Sequence, residues 1–480
     1  MKKRLNLCRT SIKLVLSILI LSSCSQKQNW PQFRGPENNM LPASRNLPLE
    51  WGNDKNIKWT AAFEGTGYSS PVVWGDRVII TSAVGEKVNP VPERGPVQGP
   101  PQQGGPGAQP GQMSQPGQGP QPGQMPQAGQ GPQPGQPGPQ PEIRDTTYKQ
   151  ELYRLEVICF DLNTGNEIWK KIAYRGSPKA GKNPNSTYAC ETPVTDGKVI
   201  VASFGMNGLF CYDMNGNLLW QKEFGPYYTQ RGWGTGSSPI IYNNVVYIQF
   251  DNEENSFLAA LAAATGVENW RAQREEKTTY STPYIWKNSI RTELVTGGKT
   301  ARSYDPLTGK LLWELKVGGE QVIPSPVGNK EYLYLGNPGG REIKPVFFAV
   351  KAGQDGLIND SGIIWKSEET GLGNSSPLLY DGFLYIIGNR GEITVLDPAS
   401  GKVKYQKRIT GIVGCWASPW AYDGKIYFTD ENGVTRTFKA GETYEQLSEN
   451  KLDGKFWSSV AVTGSGYIFK GTSKLYCIAQ

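Results

Sequence analysis

The side chains able to do chemistry in this chain are carboxylates, amines, guanidiniums, amides, hydroxyls, thiols and aromatic rings, because its 480 residues include no histidine. The commonest general base and transition-metal ligand is therefore missing. Zinc sites, Ser-His-Asp triads and Cys-His nucleophiles are excluded in their usual forms. The remaining candidates gather at one recurring place. Tyr68, Glu191, Trp233, Tyr280, Asn374, Trp416 and Trp457 each stand a few residues before a small-residue-plus-proline step or its degenerate form. Five of the seven are aromatic. Around a concave opening they could receive a sugar, a peptide segment or another flat ligand, and equally they could fill the space where strands converge. At this level both readings stay open.

Other reactive types have plainer readings. Asp161, Asp213, Asp305 and Asp397 recur at one repeat position ahead of a turn glycine, which points to turn capping rather than four active sites. Cys159, Cys211 and Cys477 share a third-strand position and read as small core residues. Cys190 and Cys415 could meet only if distant units converge. Five thiols in an exported chain argue against a disulfide-dependent fold. The charged run Arg274-Glu275-Glu276-Lys277 reads as a solvated turn.

The elements that must position these residues are repeats. The steps are Ser70-Pro71, Thr192-Pro193, Ser238-Pro239, Thr282-Pro283, Ser325-Pro326, Ser376-Pro377, Ser418-Pro419 and a degenerate Ser459-Val460. From Thr192 onward they are spaced by 46, 44, 43, 51, 42 and 41 residues, the length of a four-stranded sheet with its turns. Within a unit, Asp-Gly and Thr-Gly pairs mark tight hairpins. The fourth strand ends in an aromatic at Trp169, Trp220, Trp270, Trp313 and Trp365, with Trp59 in the same style near the start. Such sheets cannot fold alone. Packed face to face around an axis they give an all-β, eight-bladed β-propeller, with each tryptophan wedged between blades and contributing on the order of 2–3 kcal/mol if fully buried. The last unit has only three strands, so the segment from Asn56 to Phe63 is expected to complete it and close the ring.

Outside the propeller (56–480), residues 1–23 carry a basic start and a short apolar run, as in a signal peptide. Residues 24–55 read as an extended arm with Trp30, Phe33 and Trp51 available for packing. An insertion at 89–141 holds 16 of the 35 prolines and interrupts the first blade; it is expected to be disordered. Five positive charges and no acid precede Cys24, so cleavage there takes the net charge from +7 to +2, leaving no footprint for nucleic acid.

Leu21-Ser22-Ser23-Cys24 resembles the lipobox of bacterial lipoproteins, which implies lipidation at Cys24; Ser25 favours the outer membrane, facing the periplasm. The Asp, Thr-Gly and terminal-Trp signatures resemble the tryptophan-docking repeat of the pyrroloquinoline-quinone-type propellers. Trp30 to Gly35 also resembles the opening of secreted proteins of that superfamily. The resemblance implies one of two branches: quinone- and calcium-dependent dehydrogenases, or non-enzymatic lipoprotein scaffolds of the outer-membrane protein assembly factor type. The dehydrogenases imply an adjacent cysteine pair, absent here, and a Glu, an Asn and an Asp around one calcium. Glu191 and Asn374 have the right types but lie in the second and sixth units, and no Asp joins them at the rim. The expectation is a non-catalytic, lipid-anchored scaffold with a protein partner, monomeric outside any complex, with no cofactor or metal. A quinone-dependent dehydrogenase, with pyrroloquinoline quinone and calcium, and a carbohydrate-binding lipoprotein are the alternatives.

Overall fold

Alternating burial along the strands dictates the architecture. Middle strands such as Val199–Ser203 are apolar on both faces, whereas outer strands such as Glu167–Gly176 alternate towards solvent, so each sheet must be covered on both sides. A computed structural model describes residues 29–43, 46–86, 151–340, 343–370 and 372–480. Cys24, the 1–23 segment and the 89–141 insertion lie outside these residues. Eight antiparallel sheets form the blades of a propeller. Their innermost strands, blades 1 to 8, are Val72–Trp74, Val194–Thr195, Ile240–Tyr242, Tyr284–Lys287, Val327–Gly328, Leu378–Tyr380, Trp420–Tyr422 and Ala461–Val462. The core lies between blades: Val199 and Val201 of blade 2, for example, cluster with Val246 and Ile248 of blade 3.

The ring closes as expected. Ile57–Ala62 pairs antiparallel with Lys474–Ala479 and supplies the fourth strand of blade 8, so no sheet edge is left at the seam.

The small-residue-proline steps do more than mark the period. The backbone N–H of each step residue donates to the hydroxyl of the next: Ser70 to Thr192, Thr192 to Ser238, Ser238 to Thr282 and Thr282 to Ser325. The series continues from Ser325 to Ser376, Ser418 and Ser459, and Ser459 returns to the Ser70 hydroxyl at 3.1 Å. Eight blades are thus clasped by one closed girdle at 2.9–3.2 Å. Only a short hydroxyl side chain can both fit the crowded axis and accept that bond.

The outer tryptophans join neighbouring blades. Nε1 of Trp59, Trp169, Trp220, Trp270 and Trp365 donates to a carbonyl in the third-to-fourth-strand turn of the next blade, at Leu162, Met214, Ala263, Pro306 and Pro398. The glycine of that turn lies against the ring. At Gly309 (φ +73°) a Cβ would stand 2.5 Å from Trp270, so the turn needs glycine both for its backbone and for the contact. The aspartates cap these turns: Asp161 Oδ1 accepts from the N–H groups of Asn163 and Thr164 and from the Thr164 hydroxyl.

Two features depart from the repeat. Trp313 is fully buried, and its Nε1 donates to Glu293 of its own blade rather than across. The next blade's loop instead lays Gly356–Leu357 alongside Leu311–Lys316 as a fifth strand, covering Trp313. The run from Arg274 to Lys277 is not a solvated turn. Its residues alternate, with Glu275 and Lys277 outward and Arg274 and Glu276 buried. Arg274 pairs with Asp251 at 2.8 Å and Glu276 with Arg302 at 3.2 Å, the pairing that lets such charges leave water.

Candidate functional site

Residues on the two sides of the hydroxyl girdle meet different surroundings. Downstream of it, the arm enters the channel. Trp30 exchanges backbone hydrogen bonds with Val73, Thr195 N–H donates to Pro31 O, and Ile241 N–H donates to the Gln32 side chain. Arg34 donates to Pro326 O and Pro377 O, and Ala421 N–H donates to Met40 O. Six blades are held by eleven residues. Trp30 and Arg34 are almost wholly buried, and burial lowers the Arg34 guanidinium to about 10. Further along, Trp51 packs on Tyr467 and Phe469 of blade 8, with ring centroids at 5.3 and 5.7 Å. The arm that the sequence left without a partner is a plug.

Upstream of the girdle the channel stays open as a funnel of about 420 Å³. All eight girdle residues line it, and Phe33 projects from the plug as part of its floor. Six of the seven rim candidates line the same cavity: Tyr68, Trp233, Tyr280, Asn374, Trp416 and Trp457. Trp416 stacks on Trp457 at 4.6 Å, and Trp457 stacks on Tyr68 at 4.7 Å, both within 10° of parallel. Three rings from blades 7, 8 and 1 therefore make one wall. Trp416 Nε1 is held by Glu431 at 3.0 Å. Trp233 stands ahead of blade 3, on the opposite side of the ring, with the Arg231 guanidinium 5.0 Å from its ring centroid.

Glu191 is not at this surface. Its side chain turns behind the wall into a small space beside Met206 and Thr235 and accepts from the Thr235 hydroxyl at 2.5 Å. Burial raises its carboxyl to about 7, against the opposing pull of that hydrogen bond and of nearby backbone N–H groups. Glu191 and Asn374 are not brought together.

Sequence reading missed Asn183, Asn185, Gln321 and Ile323, which also line the funnel. All four lie in inter-blade connections. Ile323, two residues before Ser325, shares the offset of Tyr68, Tyr280, Asn374, Trp416 and Trp457 and was legible on that signal, whereas Asn183, Asn185 and Gln321 stand at irregular distances from the next step. Cys190 lines the funnel as well; it donates to Thr187 O, and burial raises its thiol to about 11. No disulfide joins it to Cys415, and both are free thiols. A buried lysine sits close by. Lys470 of blade 8 donates to Ser69 O, Ser69 Oγ and Thr81 O of blade 1, and burial lowers its ammonium to about 7. It fastens the seam of the ring.

The funnel lining carries no carboxylate and no cationic side chain. Among the described residues no group of three His, Cys, Asp or Glu side chains converges as a metal site. Pyrroloquinoline quinone is a tricarboxylic acid bound together with a divalent cation, which asks for charged partners and several oxygen ligands. The residues present do not fit that group. Neutral amides, hydroxyls and aromatic faces offer hydrogen bonding and stacking instead.

Known proteins share parts of this architecture. A family model described as outer membrane protein assembly factor BamB matches residues 154–325. A tetrathionate hydrolase of Acidithiobacillus ferrooxidans is 30% identical over 139 residues, 27% of this chain. The match spans 26% of that relative's length. Among solved structures, a quinohemoprotein alcohol dehydrogenase from Comamonas testosteroni aligns over 94% of this chain and 80% of its own, with 11% identity and a TM-score of 0.58. A europium-containing methanol dehydrogenase aligns over 92% of this chain and 88% of its own, with 12% identity and a TM-score of 0.51. At such identities the likeness is one of fold. Together, the eight-sheet ring, its turn-and-tryptophan repeat and the family match support assigning the chain to the pyrroloquinoline-quinone-like β-propeller superfamily.

Proposed function

We propose that this chain is a non-catalytic binding protein of the cell envelope, tethered by lipid at Cys24 to the outer membrane on its periplasmic side. In this reading the open mouth of the funnel is the recognition surface. The observation that carries it is the contrast within one channel: one end is sealed by the arm, while the other is open, uncharged and walled by aromatic rings. A large aromatic surface left open costs hydration unless a ligand or partner covers it. The match to the assembly-factor family over residues 154–325 supports a scaffold role, in which a partner engages that mouth and the surrounding loops.

The dehydrogenase alternative draws no support from the lining, which lacks groups suited to a quinone and its cation. Purified protein supplied with pyrroloquinoline quinone and calcium tests this directly. The expected result is no reduction of an artificial electron acceptor and no rise in melting temperature. Dye reduction, or a melting temperature raised by the quinone with calcium, would overturn the reading. Recovery of an envelope partner by the full chain but not by Trp233→Ala is the positive test.

A further inference from the structure

The funnel offers a specific chemistry, and we infer that it binds a neutral carbohydrate the size of a mono- or disaccharide. The inference rests on the recognition role proposed above for the mouth. Its volume of about 420 Å³ falls within the roughly 300–1,000 Å³ that holds small-molecule ligands. Walls of opposite sides differ in kind: Trp233 presents a single ring, whereas Tyr68, Trp457 and Trp416 form a continuous stack. The inner faces of that stack are already occupied by one another, so a flat ligand cannot intercalate there. The apolar C–H face of a sugar ring can instead lie on Trp233 or on an outer face of the stack.

The polar groups point the same way. Tyr280 Oη and Gln321 Nε2 are buried and have no hydrogen-bond partner, although both residues line the funnel. Leaving such atoms unmatched is unfavourable; both are shielded from solvent here, so a ligand reaches them only as the Tyr280 and Gln321 side chains shift towards it, and one carrying hydroxyls then satisfies donors and acceptors alike. Beneath them the eight girdle hydroxyls, each almost wholly buried, accept backbone bonds. Among the described residues none of the eight donates to a protein acceptor, so their protons are available to ligand oxygens. No charged side chain lines the cavity itself; Arg231 and Glu431, close by, stand against Trp233 and Trp416, so a charged ligand meets no direct ionic partner to offset its desolvation. Hydroxyl-rich, uncharged and ring-shaped is the class that fits.

Titration of the full chain with cellobiose, maltose and N,N′-diacetylchitobiose, followed by tryptophan fluorescence and by heat, tests the inference. The expected result is saturable binding of at least one disaccharide, unchanged between low and high salt because the contacts are uncharged. Trp233→Ala should weaken it by roughly tenfold or more, and Asn374→Ala by a smaller factor. Both variants should retain the wild-type circular dichroism spectrum. Absence of response to all three sugars overturns the inference, as does binding unaffected by either variant. Preference for glucuronate over glucose, falling with salt, also overturns it. If the sugars fail while an envelope partner is still captured in a Trp233-dependent way, the carbohydrate assignment alone falls. Quinone-dependent dye reduction removes the assignment and the recognition role together.

Discussion

The two ends of the central channel are built from the same eight strands and come to opposite results. Downstream of the hydroxyl girdle, backbone carbonyls at Pro326 and Pro377 point at the axis and are matched by Arg34, and a fully buried Trp30 completes the seal. Upstream, inter-blade connections bring amides and aromatic rings to the axis and leave space between them. The difference shows how a propeller separates stability from recognition. One end offers no surface to ligands and holds six blades together; the other forgoes packing and stays open. Buried polar atoms without partners occur at both, Trp30 Nε1 and Arg34 Nε in the plug and Tyr280 Oη and Gln321 Nε2 at the funnel, so open space rather than unmet polarity separates the two ends.

The largest expected effect lies at the sealed end. Trp30→Ala removes a wholly buried ring and should cost about 3–5 kcal/mol in urea unfolding. A loss under about 1 kcal/mol would mean that the plug is dispensable and the comparison between ends is false. Next comes the carboxyl behind the wall. In the unfolded chain Glu191 loses its proton near its ordinary 4.5, while in the folded chain it keeps it until about 7. The native state therefore binds more protons across that window, and this contribution to stability is full below pH 4.5 and lost as pH rises to 7. Glu191→Gln keeps the shape without the charge and should flatten the melting temperature over that range, recovering up to roughly 3 kcal/mol at pH 7. An unchanged pH profile would show that the carboxylate is solvated and reopen its place at the funnel surface.

A smaller effect sharpens the role of the girdle that divides the two ends. Ser376→Ala leaves the Ser325 N–H without its acceptor and should cost about 1–3 kcal/mol, with Ser376→Thr restoring most of it. Equal losses for Ala and Thr would show that size at the axis matters and the hydrogen bond does not. The smallest effect belongs to the open end. Trp233→Ala, half-buried at the mouth, should change stability by no more than about 0.5 kcal/mol while weakening ligand capture by roughly tenfold or more. A loss comparable to that of Trp30→Ala would show that the mouth, too, is structural.

Much of the fold could be read directly from residues. The spacing of hydroxyl-proline steps counted the blades, and the missing last strand announced the closure by Ile57–Ala62. The Thr-Gly turns preceding Trp-ended strands foretold the contact of Gly309 with Trp270, because turn chemistry and strand order are local properties. Six of seven rim candidates reached the funnel. Five of them share one offset, two residues before their step, which sets their height along the axis, while Trp233, five residues before its step, reaches the funnel from a longer connection. Glu191 escaped the pattern. It lies only one residue from its step, and the direction of its side chain depends on Thr235 in the neighbouring blade. The Arg274 to Lys277 run misled because its alternation pointed two charges at partners in other strands.

By itself the sequence determined the repeat, the number of blades, their closure and the absence of histidine chemistry. It did so because periodicity, turn residues and composition act over a few positions. Only the tertiary structure decided that Trp30 to Met40 plugs one mouth, that the step hydroxyls form a closed girdle, and that the other mouth is open and uncharged. These depend on contacts across the ring, such as Arg34 with a carbonyl 343 residues away. A backbone carbonyl carries no side-chain signature, so nothing in the chain's lettering marks it as a partner until the blades converge on their axis.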